Sequence, residues 1–312
     1  MLLAIGTPVA WSIAISSVLT MLVSIPVMPA FTTVAQRIGT GLDSFALLAI
    51  PLFILSGELM NKGGIANRLI AFAKTLVGAL PGGLALINII SAMLMGAIAG
   101  SAMAAASAMG SILGPEMEKE GYSKEFGAAV NITAATTGLV IPPSNVLIVY
   151  SLASGGASIA ALFLAGYIPG LLTGLFLMIV AFVWAKKKGF KVGKRSSLKE
   201  VLRTFVDALP SLFMLVVVIG GIVTGVFTAT EASAIAVLYS LLLGFFYKEI
   251  SFPKLPQILL DSSATTAIVM LLIGASMSMS WALSYENIPQ EISAGLLGIS
   301  ENEIVILLII LR

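Results

Sequence analysis

The stretch Thr137–Tyr150 reads TGLVIPPSNVLIVY and places two adjacent prolines between apolar runs that are typical of helices. Proline inside a helix removes an N–H donor and leaves a carbonyl unpaired, at a cost of about 3 kcal/mol. In hydrocarbon such a carbonyl costs still more unless another group binds it. A helix that breaks at this point of an apolar segment therefore indicates that its backbone carbonyls bind another group or a ligand.

Composition places the break in a membrane. Of 312 residues, 58% are hydrophobic and 10% are charged, whereas soluble domains carry about 25% charged residues. Apolar runs of about 20 residues recur along the chain and match the thickness of a bilayer core. The sequence contains no cysteine and no histidine, which excludes disulfides, thiolate metal sites and histidine proton relays. We predict an all-α polytopic membrane protein that is not an enzyme.

The apolar runs predict the order of the spans. They cover residues 7–27, 44–60, 126–153, 159–185, 209–225, 230–247 and 266–283. Pro26 and Pro29 are expected to end the first of these helices. Residues 63–79 form an amphipathic pattern that contains Arg68 and Lys74, which is typical of a helix lying in the membrane interface.

Lysine and arginine predict the orientation, because they concentrate on the cytoplasmic side. The basic block at 186–203 is therefore expected to be cytoplasmic, together with the loop at 116–125 and the arm at 63–79. A second candidate arm at 286–303 has no basic residue and is expected to face the periplasm. It carries Glu286, Glu291, Glu301 and Glu303.

The same order of elements occurs twice. GTPVAWSIAIS opens one half and GVFTATEASAIAV opens the other, and each is followed by helices and an arm. Because the two arms are expected on opposite sides, the repeat is inverted, as in many secondary transporters. In the second opening, Thr228 and Glu231 have the spacing of a capping box, which we favour over an intramembrane functional carboxylate.

The uncharged run at 84–115 is too long for one span. We predict a re-entrant hairpin that turns near Gly100–Ser101, with arms of about 15 residues, or about 22 Å, which is shorter than a bilayer core of about 30 Å. The alternative is a helix pair packed through small residues, since 96–100 and 110–114 both have GxxxG spacing. The two interpretations are compatible, because the arms of a hairpin also pack closely.

The hairpin tip and the proline break together predict a site. Carbonyl and hydroxyl oxygens suit sodium, and the predicted sodium ligands are Gly100, Ser101, Gly138, Val140 and Pro142. The half-helix after the break presents free N–H groups that favour a carboxylate. The predicted substrate ligands are Ser101, Ser144 and Asn145. The alternative for the break alone is a proline kink satisfied by its neighbours.

Four stretches resemble the large membrane subunit of tripartite ATP-independent periplasmic (TRAP) transporters. They are AGSAMAAASAMGSILGPEM, TGLVIPPSNVLIVYSLAS, GVFTATEASAIAVLYSLL and IPLFILSGELMNKGGIANRLIAFA. The resemblance implies an inner-membrane permease that imports an organic acid, such as sialic acid or a C4-dicarboxylate, with sodium as the coupling ion and by an elevator motion. It also implies a small membrane subunit and a periplasmic binding protein as partners. No organic cofactor or nucleic acid is expected.

The resemblance also implies a division of the chain. We expect scaffold helices and the cytoplasmic arm in 1–79, the hairpin and broken helix in 80–154, a span with the basic loop in 155–207, second-repeat scaffold helices and the periplasmic arm in 208–303, and the start of a second hairpin in 304–312. The second hairpin and second broken helix of the family are missing from this sequence, so we expect it to be an incomplete part of a longer subunit.

Other functions remain as alternatives. A sodium/carboxylate secondary transporter that works without a binding protein would share the same site. A channel or membrane scaffold would not need two helix breaks in one half. An intramembrane enzyme is disfavoured by the missing histidine and cysteine and by the absence of paired carboxylates within the apolar runs.

The orientation is directly testable by cysteine labelling, since the chain has no cysteine of its own. In cells with a permeabilised outer membrane, we expect Lys188→Cys to be protected from an impermeant thiol reagent and Glu291→Cys to be labelled. Labelling of Lys188→Cys in intact inner membranes would overturn the assignment.

Overall fold

The computed structural model of the protein describes residues 1–190, 193, 195–300 and 302–310. The regular secondary structure of the described part consists of helices only, which confirms the all-α fold. The helices are α1 (Val9–Ser24), α2 (Val27–Leu42), α3 (Ala49–Lys62), α4 (Ile65–Val77), α5 (Gly83–Ala99), α6 (Ala102–Lys119), α7 (Lys124–Val140), α8 (Asn145–Ala153), α9 (Ile159–Lys188), α10 (Leu198–Val223), α11 (Ala229–Phe246), α12 (Leu255–Tyr285), α13 (Ile288–Ile299) and α14 (Glu303–Ile310). Five described helices are long and apolar enough to cross a membrane, or six if α7 and α8 form one span.

The chain divides into two compact units. One contains residues 1–44 with the chain from Ala267 onward, and the other contains Phe45–Thr266. In the first unit, α1 packs on α2 around a small core that contains Met21, Ala30 and Ala282. The Ser24 hydroxyl donates to the Glu286 carboxylate at 2.6 Å, so this acidic residue ties the start of the second arm to the end of α1.

The structure corrects the predicted end of the first span. Pro26 follows the end of α1, but Pro29 does not stop a helix. It lies in the first turn of α2, where a backbone N–H has no intrahelical partner and proline is tolerated. Helix α2, which includes Arg37, was missed because a proline at this position was interpreted only as a terminator.

In the second unit, α3 and α11 form one packed pair. Their buried serines, Ser56 and Ser240, share a hydrogen bond of 3.0 Å, and Thr230 donates to the Phe45 carbonyl at 2.9 Å. The predicted capping box is confirmed at the start of α11, where the backbone N–H of Thr228 donates to Glu231 at 2.8 Å and the Glu231 N–H donates to the Thr228 hydroxyl at 3.2 Å.

The arm α4 is amphipathic, as predicted. It buries one face, which includes Ile65, Leu69 and Ala73, against α5 and α10. Helices take up both ends of the basic block at 186–203, which was predicted to be a loop. Helix α9 continues to Lys188, and α10 already begins at Leu198. Lys191 and Lys194 of that block, and Glu301 of the second arm, lie outside the described residues.

The hairpin, α7 and α9 share one hydrophobic core cluster, to which α4 also contributes. Helix α5 has 17 residues and α6 has 18, and the turn between them falls at Gly100–Ser101, as predicted. At 1.5 Å per residue the arms are about 26 Å and 27 Å long, somewhat longer than expected but still short of a bilayer core of about 30 Å.

Stacked aromatic rings close the end of the hairpin that lies away from its tip. The rings of Tyr122 and Phe190 stack at 4.1 Å, and those of Phe126 and Trp184 stack at 3.7 Å. Burial, with a smaller contribution from the nearby Glu120 carboxylate, raises the pKa of Tyr122 to about 12. The phenol therefore stays neutral at physiological pH, and the stack joins the α6–α7 turn to the end of α9.

The capping box gives a test that separates a structural Glu231 from a functional one. Thr228→Ala removes the side-chain acceptor at the start of α11 and is expected to cost about 1 kcal/mol of stability. Glu231→Gln keeps the capping interaction without the charge, so its thermal unfolding and transport rate should match the wild type. Loss of transport in a normally stable Glu231→Gln variant would instead assign a functional role to the carboxylate.

Candidate functional site

The proline break separates α7 from α8 by four residues. The two helices bend by 51° at this point, and the peptide bond between Pro142 and Pro143 is cis. Ile141 still donates its N–H to the Thr137 carbonyl at 2.8 Å, so the helix is regular up to the first proline. The predicted interruption of a single span is confirmed.

The backbone bonds at the break show which oxygens lack donors. Gly138 and Leu139 would be paired with residues 142 and 143 in a continuous helix, and both of these are prolines. The Ser144 hydroxyl donates to the Leu139 carbonyl in place of that partner. Within the described chain, no backbone N–H donates to the carbonyls of Gly138, Val140 or Pro142. These three oxygens are the predicted sodium ligands of the broken helix, and their lone pairs are free.

The hairpin tip contacts the start of α8 directly. Gly100 ends α5 with a φ of 61°, and its carbonyl accepts the Asn145 N–H at 3.4 Å. A Cβ at Gly100 would lie 2.8 Å from the Pro143 oxygen. Both the positive φ and this close approach require glycine. The structure therefore brings Gly100 and Asn145 together, but it also gives the Gly100 carbonyl a protein donor.

Two glycines let the first hairpin arm approach α7. A Cβ built at Gly138 would lie 2.6 Å from the Cα of Gly96, and a Cβ at Gly96 would collide with Gly138 in turn. The backbones of α5 and α7 are therefore in contact one turn before the tip and the break. The GxxxG pair at 96–100 therefore packs against α7 and the break, and not against the other hairpin arm as the alternative predicted.

Helix α9 supports the other side of the break through a row of glycines. Gly166 faces the Val140 carbonyl, Gly170 faces the Ile141 side chain and Gly174 faces Met93. A Cβ at any of them would collide with that neighbour. Because the glycines recur every four residues, they lie on one face of α9. Sequence reasoning missed this row, although the repeated spacing in AGYIPGLLTG was a visible signal.

The predicted sodium ligands thus lie in one region but on different sides of it. The Val140 carbonyl faces α9, whereas the Gly100 carbonyl lies at the start of α8. Ser101 caps α6 and accepts the Ala104 N–H at 3.3 Å. In the described part of the chain, its hydroxyl proton has no protein acceptor, so Ser101 keeps a free donor at the tip.

The remaining predicted substrate ligands differ in what they can offer. Ser144 is fully buried, accepts the Leu147 N–H at 3.4 Å and donates its one proton to Leu139. Its hydroxyl therefore holds the break together in this conformation. The Asn145 amide oxygen is buried and has no partner among the described groups, which leaves it available to a cation or to a donor on a ligand.

The chemistry of the site suits an alkali cation and an anion together. The described residues contain no cluster of three or more His, Cys, Asp or Glu side chains, so a divalent-ion site built on carboxylates is not offered here. Free backbone carbonyls and an amide oxygen are hard neutral ligands. Next to them, the first turn of α8 presents N–H groups, which favour negative charge.

Comparisons with known proteins agree with this architecture. Among curated relatives, an uncharacterized protein YgiK of Salmonella typhimurium is 53% identical over 309 residues, covering 99% of this chain and 71% of the relative. The C4-dicarboxylate TRAP transporter large permease protein DctM of Pseudomonas aeruginosa is 39% identical, covering 91% and 66%. The sialic acid TRAP transporter large permease protein SiaM of Vibrio cholerae is 38% identical, covering 88% and 65%.

The extent of the match identifies the family. Across the relatives compared, the chain spans from 48% to 72% of their lengths. Residues 1–311 match the family described as "Tripartite ATP-independent periplasmic transporter, DctM component". The resemblance carried by the hairpin, the proline break and the capping segment is thereby confirmed, and the chain belongs to the DctM component of the tripartite ATP-independent periplasmic transporters.

Proposed function

We propose that the protein is the permease of a sodium-coupled TRAP transporter that imports an organic acid anion across the bacterial inner membrane. The observation that carries the proposal is the broken helix docked on the hairpin tip, with free carbonyls before the break and the N-terminus of α8 after it. Relatives named for C4-dicarboxylate and sialic acid transport support an organic acid as cargo. The partners would be a small membrane subunit and a periplasmic binding protein.

Sodium would bind at the break through the chain's own oxygens. The carbonyls of Gly138, Val140 and Pro142 have no backbone donor, and the Ser101 oxygen lies at the adjoining tip. The Gly100 carbonyl would join them only after the Asn145 N–H releases it, because that bond is present in this conformation. Its length of 3.4 Å is beyond the usual range of a strong hydrogen bond, so the exchange would cost little.

The substrate carboxylate would meet the first turn of α8 and the free hydroxyl proton of Ser101. Ser144 would act mainly by holding that turn in place. From Phe126 to Ala185 the sequence has no charged residue, so bound sodium would supply the positive charge that the anion needs. A fixed buried cation would be costly without substrate. Each ligand would therefore raise the affinity for the other by the same factor.

An elevator motion would carry the hairpin, α7 and α9 as one body, because these helices share a core. Helix α8 would move with them, because it packs on α7 and α9. They meet α3 at a contact where a Cβ at Gly57 would lie only 3.0 Å from the Cβ of Ala99. Small residues present a smooth surface with few interlocking side chains. Such an interface would favour sliding of the hairpin along α3.

The sodium dependence is tested in proteoliposomes that contain the full transporter and its binding protein. We expect uptake of the cognate organic acid only with an inward sodium gradient, and loss of uptake when choline replaces sodium. Uptake driven equally well without sodium would contradict the proposal. Uptake that needs sodium but persists without any binding protein would favour the alternative, a sodium/carboxylate secondary transporter that works alone.

The substrate role of the serines is tested at subsaturating substrate. Ser101→Ala is expected to slow transport roughly tenfold, the value of one hydrogen bond to a charged group at about 1.5 kcal/mol. Ser144→Ala should slow it by a similar factor, because the cap and the Leu139 bond are lost together. Ser111→Ala is the control, since that hydroxyl only bonds the Ala108 carbonyl of its own helix at 3.0 Å. Wild-type rates in both variants would exclude these serines from the carboxylate site.

A further inference from the structure

A chamber of about 320 Å³ lies among α5, α6 and α7, away from the hairpin tip. It is separate from the proline break, because Asn88 precedes the tip by about three turns on α5 and Asn131 precedes the break by about three turns on α7. The lining residues that matter here are Asn88, Gly110, Gly114, Glu118, Gly127 and Asn131.

Glycines make the space for this chamber. A Cβ at Gly114 would meet no other atom within 4 Å, whereas a Cβ at Gly110 would lie 2.9 Å from the Asn131 amide nitrogen. The GxxxG spacing at 110–114 therefore does not mark a tight helix contact like that of Gly96 with Gly138. It forms the wall of a cavity and admits the Asn131 side chain.

Two asparagines turn their amide nitrogens to other partners. The Asn131 nitrogen donates to the Ala106 carbonyl at 2.8 Å, which fixes the orientation of the amide because only the nitrogen can donate. The Asn88 nitrogen points to the Met117 sulfur at 3.9 Å, and Asn88 is 1% exposed. Both amide oxygens are buried, and neither has a donor among the described groups.

The unpaired side-chain atoms of these two lining residues are therefore acceptors. Glu118 adds a carboxylate at the rim, where it pairs with Lys124 at 3.7 Å and remains about half exposed. A water molecule can donate and accept hydrogen bonds, so it could pair with these amides in either orientation. Hydration alone therefore does not explain why both amide nitrogens point to other partners. Two buried amide oxygens without donors, near a carboxylate, form a ligand set of the kind that suits a hard monovalent cation.

We propose that this chamber is a second alkali-cation site, held by the amide oxygens of Asn88 and Asn131 with water completing the shell. The cation is sodium or potassium, since the shared chemistry is that of a small monovalent ion bound by neutral oxygens. Occupancy would join α5 to α7 across the cavity and stiffen the hairpin arms. The site does not depend on the sodium ligands at the proline break.

The test uses the full-length protein in lipid nanodiscs. Thermal unfolding is followed while sodium chloride or potassium chloride replaces choline chloride at constant ionic strength, and bound radioactive sodium or rubidium is counted at equilibrium. Asn88→Leu and Asn131→Leu should each bind one alkali ion fewer than the wild type. Each should need a roughly tenfold higher salt concentration for any stabilisation that is specific to this site. Asn88→Asp keeps an oxygen and should retain the ion.

Ser91→Ala is the matched control, because Ser91 is also on α5, fully buried and without a hydrogen-bond partner, but does not line the chamber. It should bind as many ions as the wild type.

If Asn88→Leu fails to fold, Asn131→Leu on the other helix gives the same readout. Unchanged ion counts in both leucine variants would overturn the proposal and leave a water-filled cavity. Sodium-driven uptake is measured separately. Failure of the proposed sodium site at the break would change that uptake, but not the difference in ion count between these variants and the wild type.

Discussion

The structure depends on backbone carbonyls that two prolines leave without N–H donors inside an apolar segment. An unpaired carbonyl at this depth is tolerated only where protein or a bound ligand surrounds it. The chain itself supplies a donor to one of these carbonyls, because the Ser144 hydroxyl donates to the Leu139 carbonyl. The Asn145 N–H donates to the Gly100 carbonyl at the hairpin tip. The carbonyls that stay free are those that would hold an ion.

Burying the break requires the neighbouring backbones to come unusually close. Gly96 meets Gly138 on one side, and the glycines of α9 meet Val140 and Ile141 on the other. Each contact replaces a side chain with a main-chain surface and covers the irregular backbone of the break. Small residues also bring the hairpin close to α3, where a Cβ at Gly57 would lie 3.0 Å from the Cβ of Ala99.

Local chemistry predicted much of the fold and some of the backbone geometry at the candidate site. The proline break, the hairpin turn and the capping box each leave a signature within a few residues, and the structure confirms them. Features that depend on distant partners were not predicted. The α9 glycines and the chamber at Gly110 have meaning only through what packs against them, and the bonded state of Ser144 depends on the shape of the break. Helix α2 was missed because a proline can either end a helix or lie in its first turn, and the residue type of Pro29 does not distinguish the two.

The most direct measurement is the density at the break in the full transporter, determined at high resolution in sodium and in choline. The account predicts a sodium-dependent density feature coordinated by the carbonyls of Gly138, Val140 and Pro142, beside the hairpin tip at Gly100–Ser101. Carbonyls that bond only to protein N–H groups in both salts, with no ion between them, would contradict it.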